Sequence, residues 1–307
     1  MNLGKILIIG RLLVDHGTRT LYADSKNETT KLSMTNLKDA RGSSRYLMSS
    51  LSSQDVRKEN EAFLNRIMRC IKNHPFINNP AKLAMDSGTL DRQAVLEIHL
   101  DFKYAAIETF TDVILMAQFR TRDLASRFGM KGKMAARFLL TLNVLDEFGF
   151  VSPSKGHLGY AGNPLLSHPI LFDDVLEQLD PGGVFERSNT PSTEANSLRQ
   201  FFESTFDDLV LALAAILVTE EEAMRFSPPM RASAKSVGIA VDSGYYMVHG
   251  CSDDLTTYAC DDYHQLDAWH ILVCILEAND HERFEAACVK CCDLWDLFWN
   301  KQAARAP

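Results

Sequence analysis

Positive charge is scarce in this chain: 32 Lys and Arg stand against 40 Asp and Glu in 307 residues, giving a net charge of −8 and a pI near 5.6. Phosphate backbones are held by clustered Lys and Arg, and no basic run of five or six residues occurs. The densest group, Arg120, Arg122, Arg127, Lys131 and Lys133, is broken by Asp123 and by apolar residues, as on a solvated face. No nucleic-acid partner is expected. Long apolar runs are also missing: the longest, residues 209–218, falls well short of a membrane span, so no membrane partner is expected either. The opening MNLGKILIIGRLLVDHG has too short an apolar core, and no small-residue cleavage site, to read as a secretory leader.

Other absences narrow the chemistry. Gly10 follows an apolar stretch but belongs to no GxGxxG turn, which removes support for a dinucleotide site, and no GxSxG elbow supports serine-based catalysis. Seven cysteines, an odd number, fit a reducing cytoplasm without disulfides. Cys288 and Cys291 form a lone CxxC; structural zinc needs four ligands, normally two such pairs, so these read as core thiols beside Trp295, Phe298 and Trp299.

What is present is helical periodicity. Residues 1–53 read as an irregular N-terminal segment, rich in Ser, Thr, Asn and Lys from residue 24 on. Residues 54–307 read as one all-α helical bundle. Helices are expected over residues 54–73, 90–118, 131–148 (closed by Gly149), 164–179, 195–226 (ended by Pro228-Pro229), 230–237, 245–277 with an interruption, and 281–301. No convincing alternating strand and no repeat appears.

Residues 245–270 concentrate donors: His249, His264 and His270 with Asp253, Asp254, Asp261, Asp262 and Asp267, a mixture that suits a divalent first-row metal. Asp261 and His264 are i, i+3 neighbours, as are Asp267 and His270, while His249 and Asp253 are i, i+4. A set of surface aspartates with packed histidines would give the same pattern. A metal inside a bundle also needs donors from facing helices. Glu97, Asp101, Glu108 and Asp112 wind to nearly one line, which equally suits a solvated face. Glu147 shares a face with Asn143 while Asp146 points about a quarter-turn away, and Glu220 continues the line of Leu213 and Leu217. Glutamates at helix ends are most often exposed, and His168 alone would read as a helix-end residue.

In series, HPF at 74–76, an acid-bearing long helix, LNVLDEFG at 142–149, HPILF at 168–172 and a late helix rich in His and Asp resemble the haem-oxygenase-like diiron oxidases and oxygenases over about residues 60–300. That resemblance implies Glu108 as the first-helix ligand with Asp101 as its rival, and Glu147 as the second-helix acid. It implies His168 as the accompanying histidine, with His157 as a weaker alternative, and Glu220 as the middle-helix acid. The family's late His-x3-Asp-x2-His is not intact here. His249 to Asp253 matches its first half and Asp261 to His264 its second; Thr256 and Thr257 stand where the remaining histidines should be. A bend between the halves leaves His249 and His264 as ligands, either Asp253 or Asp261 as the carboxylate, and Asp267 with His270 as a further rival.

The implied function is oxygen chemistry: two Fe(II) per chain, with O2 as cosubstrate, oxidising a small amino-acid-like substrate by N-oxygenation or oxidative cleavage, in a natural-product pathway and the cytoplasm. An electron donor and a homodimer are compatible with it. Two alternatives stay open: a metal-independent thiaminase-like or quinone-cofactor-forming helical enzyme, and a non-catalytic helical binding protein.

Overall fold

Caps and glycines divide the chain into helices largely where its periodicity changes. The computed structural model describes residues 40–151, 161–250 and 261–306, with backbone alone at 151, 261 and 262. In chain order the helices are α1 (Ala40–Leu51), α2 (Gln54–Lys72), α3 (Pro80–Asp86), α4 (Arg92–Phe102), α5 (Glu108–Arg120), α6 (Ala125–Glu147), α7 (His168–Leu179), α8 (Thr193–Ser204), α9 (Leu209–Ser236), α10 (Tyr245–Val248), α11 (Asp261–Ile275) and α12 (His281–Ala303). Beside them stands one two-residue antiparallel pair, β1 (Phe150–Val151) with β2 (Ala161–Gly162). The protein is all-α.

Helix α9 is the centre. From Leu209 to Glu222 every residue but Leu211 is buried, as expected of a helix that is apolar around its circumference, and α3, α5, α11 and α12 pack along it. An aromatic cluster of Phe102, Phe202, Trp295, Phe298 and Trp299 fills the space toward α12, with the Phe226 ring stacked on Trp299. No helix among the described residues is long and apolar enough to cross a membrane.

Three expectations need correction. Residues 40–51 are helical rather than irregular: the face of α1 turned to α6 and α11 carries Arg41, Ser44, Arg45 and Met48, so its contacts are mostly polar and leave no apolar stripe in the sequence. Other residues of the 1–53 segment, up to 39, lie outside the described set. The helix expected over 195–226 is two helices, because Asp208 turns out of the helix and accepts the Val210 and Leu211 N–H groups as the cap of α9. Nor does Pro228-Pro229 end α9. The missing N–H groups leave the carbonyls of Met224 and Arg225 without donors, but Met224 is half-buried and Arg225 exposed, so water can reach this stretch.

Between α4 and α5, Lys103–Ile107 forms a π turn within a nearly continuous helix. Such a turn adds a residue per turn and rotates everything after it. Asp101 and Glu108 therefore do not share the face that regular helical spacing predicts.

Candidate metal centre

Glu147 is the last residue of α6 and His168 the first of α7, and the chain between them must double back closely to bring the two together. Gly149 makes this possible. Its φ is +76°, in the left-handed region, and a Cβ there would lie 2.5 Å from the Leu166 carbonyl carbon and 2.7 Å from both Asn163 O and Ser167 N. The Asn163 N–H donates to Gly149 O, at 3.2 Å, to close the approach. As a result His168 Nδ1 lies 3.1 Å from Glu147 Oε2, with both side chains almost fully buried.

Across the bundle α9 and α11 supply two more donors. His264 is fully buried, and its Nδ1 lies 3.2 Å from Glu220 Oε1 and 3.7 Å from Glu147 Oε1. The two oxygens of Glu147 thus face two different imidazoles. His249 follows the short α10 and brings its ring within 4.8 Å of the His168 ring and 4.4 Å of Tyr245. Helix α10 is fixed from behind by His99, whose Nδ1 donates to Val95 O and whose Nε2 accepts from the Tyr246 hydroxyl at 2.6 Å. That bonding selects the neutral Nδ1–H tautomer, and burial pushes the pKa of His99 down to about 4.

The electrostatics of the cluster run the other way. Burial works against charge on Glu147, but His168, His264 and His249 hold its carboxyl down at about 2. Burial also opposes charge on His264, yet Glu220, Asp146 and Glu147 raise its pKa well above the usual imidazole value. Carboxylates and imidazolium stabilise one another in a place that would otherwise expel charge.

A narrow cavity opens onto Glu147, His168, Glu220, Glu222 and His249. Its lining also includes residues of the π turn and its flanks: Phe102, Ala106, Ile107, Phe110 and Thr111. Among the described residues this lining holds no lysine or arginine. A larger hollow of about 470 Å³ between Arg120, Arg127, Asp208, Glu277 and Arg283 shares no lining residue with it, and its guanidiniums already pair with neighbouring acids.

Glu147, His168, Glu220, His249 and His264 are therefore brought together, and several other sequence candidates are not. Glu108 is pointed away by the π turn; its side chain is 42% exposed and pairs with Arg199 at 2.7 Å. Asp101 is buried elsewhere, accepting from Ser192 N, Gln302 Nε2 and Arg305 Nη2 at 3.0–3.2 Å. His270 contacts Arg45 O and Ser49 on α1. Asp253 and His157 lie outside the described residues, as does the side chain of Asp261, whose backbone begins α11. The three consecutive glutamates, which the pattern leaves exposed, are all buried: Glu220 faces the cluster, Glu221 pairs with Arg225, and Glu222 accepts from Trp299 Nε1. Cys288, Cys291 and Cys292 are buried with their thiols pushed up by burial, which suits core packing rather than reactivity.

Two residues that spacing did not single out adjoin the cluster. Asp146 Oδ2 lies 3.3 Å from His264 Nε2 and accepts from Arg41 Nη2 at 2.7 Å. Arg41 also donates to Asn143 Oδ1 at 3.1 Å and pairs closely with Asp267, which Arg45 holds from the same helix at 2.6 Å. The helical wheel put Asp146 off the Glu147 face. What it could not show is that His264 sits between the two faces and touches both.

The donor types fit a first-row divalent ion: buried carboxylates and imidazoles, with no competing guanidinium on the cavity wall among the described residues. Neighbouring ligands of one ion stand roughly 3 Å apart when each lies about 2.1 Å from it, and the Glu147–His168 and Glu220–His264 separations are of that order. As they stand, the nitrogens address carboxylate oxygens rather than a common point, and no group of three or more such side chains among the described residues is arranged to hold an ion.

No family model matches the chain, and no curated protein matches it. Among solved structures it is similar to a CADD-like protein of unknown function from Nostoc punctiforme. The TM-score is 0.54 with 18% identity, and the alignment covers 81% of this chain and 99% of that one. A second crystal structure of that protein gives a TM-score of 0.49 with 16% identity, over 81% of this chain and 96% of that one. At this identity the likeness carries the fold.

Proposed function

We propose that Glu147, His168, Glu220, His249 and His264 form a nonhaem iron centre, and that the chain is an O2-dependent oxidase or oxygenase acting on a small molecule in the adjoining cavity. The observation that carries this reading is the convergence, in a buried pocket, of two glutamates and three histidines from the ends or interiors of α6, α7, α9 and α11 and from just beyond α10. Isolated buried charges are costly, and this group, without a guanidinium on the cavity wall among the described residues, supplies the donor types that a divalent metal takes. The resemblance to haem-oxygenase-like diiron enzymes supports two Fe(II), with Asp253 or Asp261 completing the set.

When bound, iron would supply O2 activation. The protein's own part is to hold the donors, to keep water from the cavity with Phe102, Ile107, Phe110 and Pro169, and to orient a substrate at Thr111, Thr219 and Tyr245. N-oxygenation or oxidative cleavage of an amino-acid-like substrate, in a natural-product pathway, is the finer form of the proposal. An electron donor and a homodimer belong to it as well.

Anaerobic loading with ferrous iron followed by metal quantification tests the reading, using the wild type with Glu147→Ala, His168→Ala and His264→Ala. The expected result is up to two irons per chain in the wild type, marked loss in each variant, and O2 consumption only with iron. Retained binding in all three variants would overturn the assignment. A second reading, metal-independent acid–base catalysis, draws on the carboxylate–imidazole pairing itself; activity in the presence of a chelator would favour it.

A further inference from the structure

We infer that Asp146 and Arg41 are positioning residues of the metal centre, holding His264 so that its Nδ1 faces the ion. The inference rests on the proposed metal reading and deepens it. An imidazole that binds a metal through one nitrogen needs its other N–H held, because that hydrogen bond fixes the tautomer and the ring plane. His264 is placed for this division. Its Nδ1 looks into the space shared with Glu147 and Glu220, and its Nε2 looks out to Asp146 Oδ2 at 3.3 Å.

Asp146 cannot perform this alone. Its side chain is 32% exposed and sits next to the end of α6, where a free carboxylate would sample several rotamers. Arg41 Nη2 takes the same Oδ2 at 2.7 Å and so restrains the oxygen that meets His264. The guanidinium is fixed in turn by Asn143 Oδ1, by Asp267 and by the Tyr263 ring, 5.2 Å away. Asp267 lies three residues beyond His264 on α11. One planar group on α1 thus anchors both the carboxylate that orients the imidazole and the helix that carries it. Helix α1 belongs to the centre although it contributes no ligand.

A purely structural latch between helices would lower stability without altering metal binding, so the test reads the metal. The full chain is titrated with Co(II) under anaerobic conditions, following its visible absorption, for the wild type, Asp146→Ala, Asp146→Asn and Arg41→Gln, with unfolding midpoints measured in parallel. His168→Ala serves as a ligand variant and Glu108→Gln as a surface control. Asp146→Ala is expected to weaken Co(II) binding about 10- to 100-fold and to change the absorption envelope. Asp146→Asn and Arg41→Gln should fall between it and the wild type, and Glu108→Gln should match the wild type. If Asp146→Ala does not fold, Arg41→Gln decides. Wild-type affinity and spectrum in the Asp146 and Arg41 variants, alongside weakened binding in His168→Ala, would overturn this inference and leave the metal reading standing. A wild type that takes up no Co(II) would overturn both.

Discussion

Two pairs of buried carboxylates in this bundle differ in what faces them. Asp101 and Asp267 are met by guanidiniums: Arg305 at 3.2 Å for the first, Arg41 and Arg45 for the second. Glu147 and Glu220 are met by imidazoles, His168 and His264. A guanidinium keeps its charge at any accessible pH, so an acid bound to it is permanently committed to holding helices together. An imidazole gives up its proton near neutrality and then offers a lone pair. Only the second kind of pair can exchange its protons for a cation, and Glu147 and Glu220 line the narrow cavity beside the cluster. The same residue type thus serves architecture in one place and chemistry in another, and the partner decides which.

The largest effect should come from breaking the first kind of pair. Asp267→Ala leaves the mostly buried Arg45 guanidinium without its acid, takes one of two acids from Arg41, and is expected to destabilise the fold by about 3–5 kcal/mol, read by urea unfolding at neutral pH. Glu147→Gln removes an equally buried carboxylate, but the amide keeps its volume and can still hydrogen-bond the two imidazoles. Its stability should fall by less than that of Asp267→Ala while metal uptake collapses. Equal losses of stability in the two variants would erase the distinction.

Imidazoles themselves divide in the same manner, which gives a prediction in pH. His99, with its pKa lowered to about 4, binds fewer protons folded than unfolded between that value and 6.5. Stability from its neutral form is complete above pH 6.5 and is lost as pH falls toward 4, by about 3 kcal/mol. His264 has the opposite sign: its raised pKa gives stability that is present below 6.5 and lost as pH climbs through the folded value. In His99→Gln, which can keep both hydrogen bonds without titrating, the loss of stability between pH 7 and 4.5 should shrink. An unchanged acid slope would mean that His99 is not held neutral.

The positions where the sequence was legible are those whose signal is local. Glycine after LNVLDEF marked the end of α6, and the apolar run of α9 marked a buried centre, because composition and periodicity act within one helix. His168 and Glu220 entered through the resemblance rather than through spacing, since each looks like a helix-end residue until the fold closes. Two features hid the rest. The π turn at Lys103–Ile107 shifts register without any proline or glycine to announce it, which sent Glu108 to the surface against a regular wheel. Helix α1 was concealed because its inward face is built of Arg41, Ser44 and Arg45, and polar contacts to residues 91 to 222 positions away leave no periodic apolar trace.

Gly149 tests how far the site depends on backbone geometry rather than on donors. Alanine there must adopt a positive φ and meet the backbone of residues 163, 166 and 167, at a cost of about 1–3 kcal/mol for the conformation, with the close contacts added to it. The chain can relieve this by moving the segment that leads into α7, which carries His168 away from Glu147. Gly149→Ala is therefore expected to weaken metal uptake while every ligand side chain remains, measured against Glu147→Gln. Full metal affinity in this variant would imply that His168 is not a ligand.

The smallest effect should come from Glu108, and it is informative for that reason. Regular helical spacing puts this acid in line with Asp101, and the resemblance read from the sequence implies it as the first-helix ligand, whereas α5 turns it toward Arg199 on the exposed flank. Exposed ion pairs contribute roughly 0–1 kcal/mol. Glu108→Gln should stay within that range in urea unfolding and should bind as much iron as the wild type. From this stretch of the chain the cavity lining takes Ala106, Phe110 and Thr111 and no acid. If Glu108→Gln lost an iron, the π turn would have to unwind on loading and swing Glu108 inward by a quarter-turn or more. The two classes of carboxylate would then be separated by metal occupancy rather than by the partners they have in the folded chain.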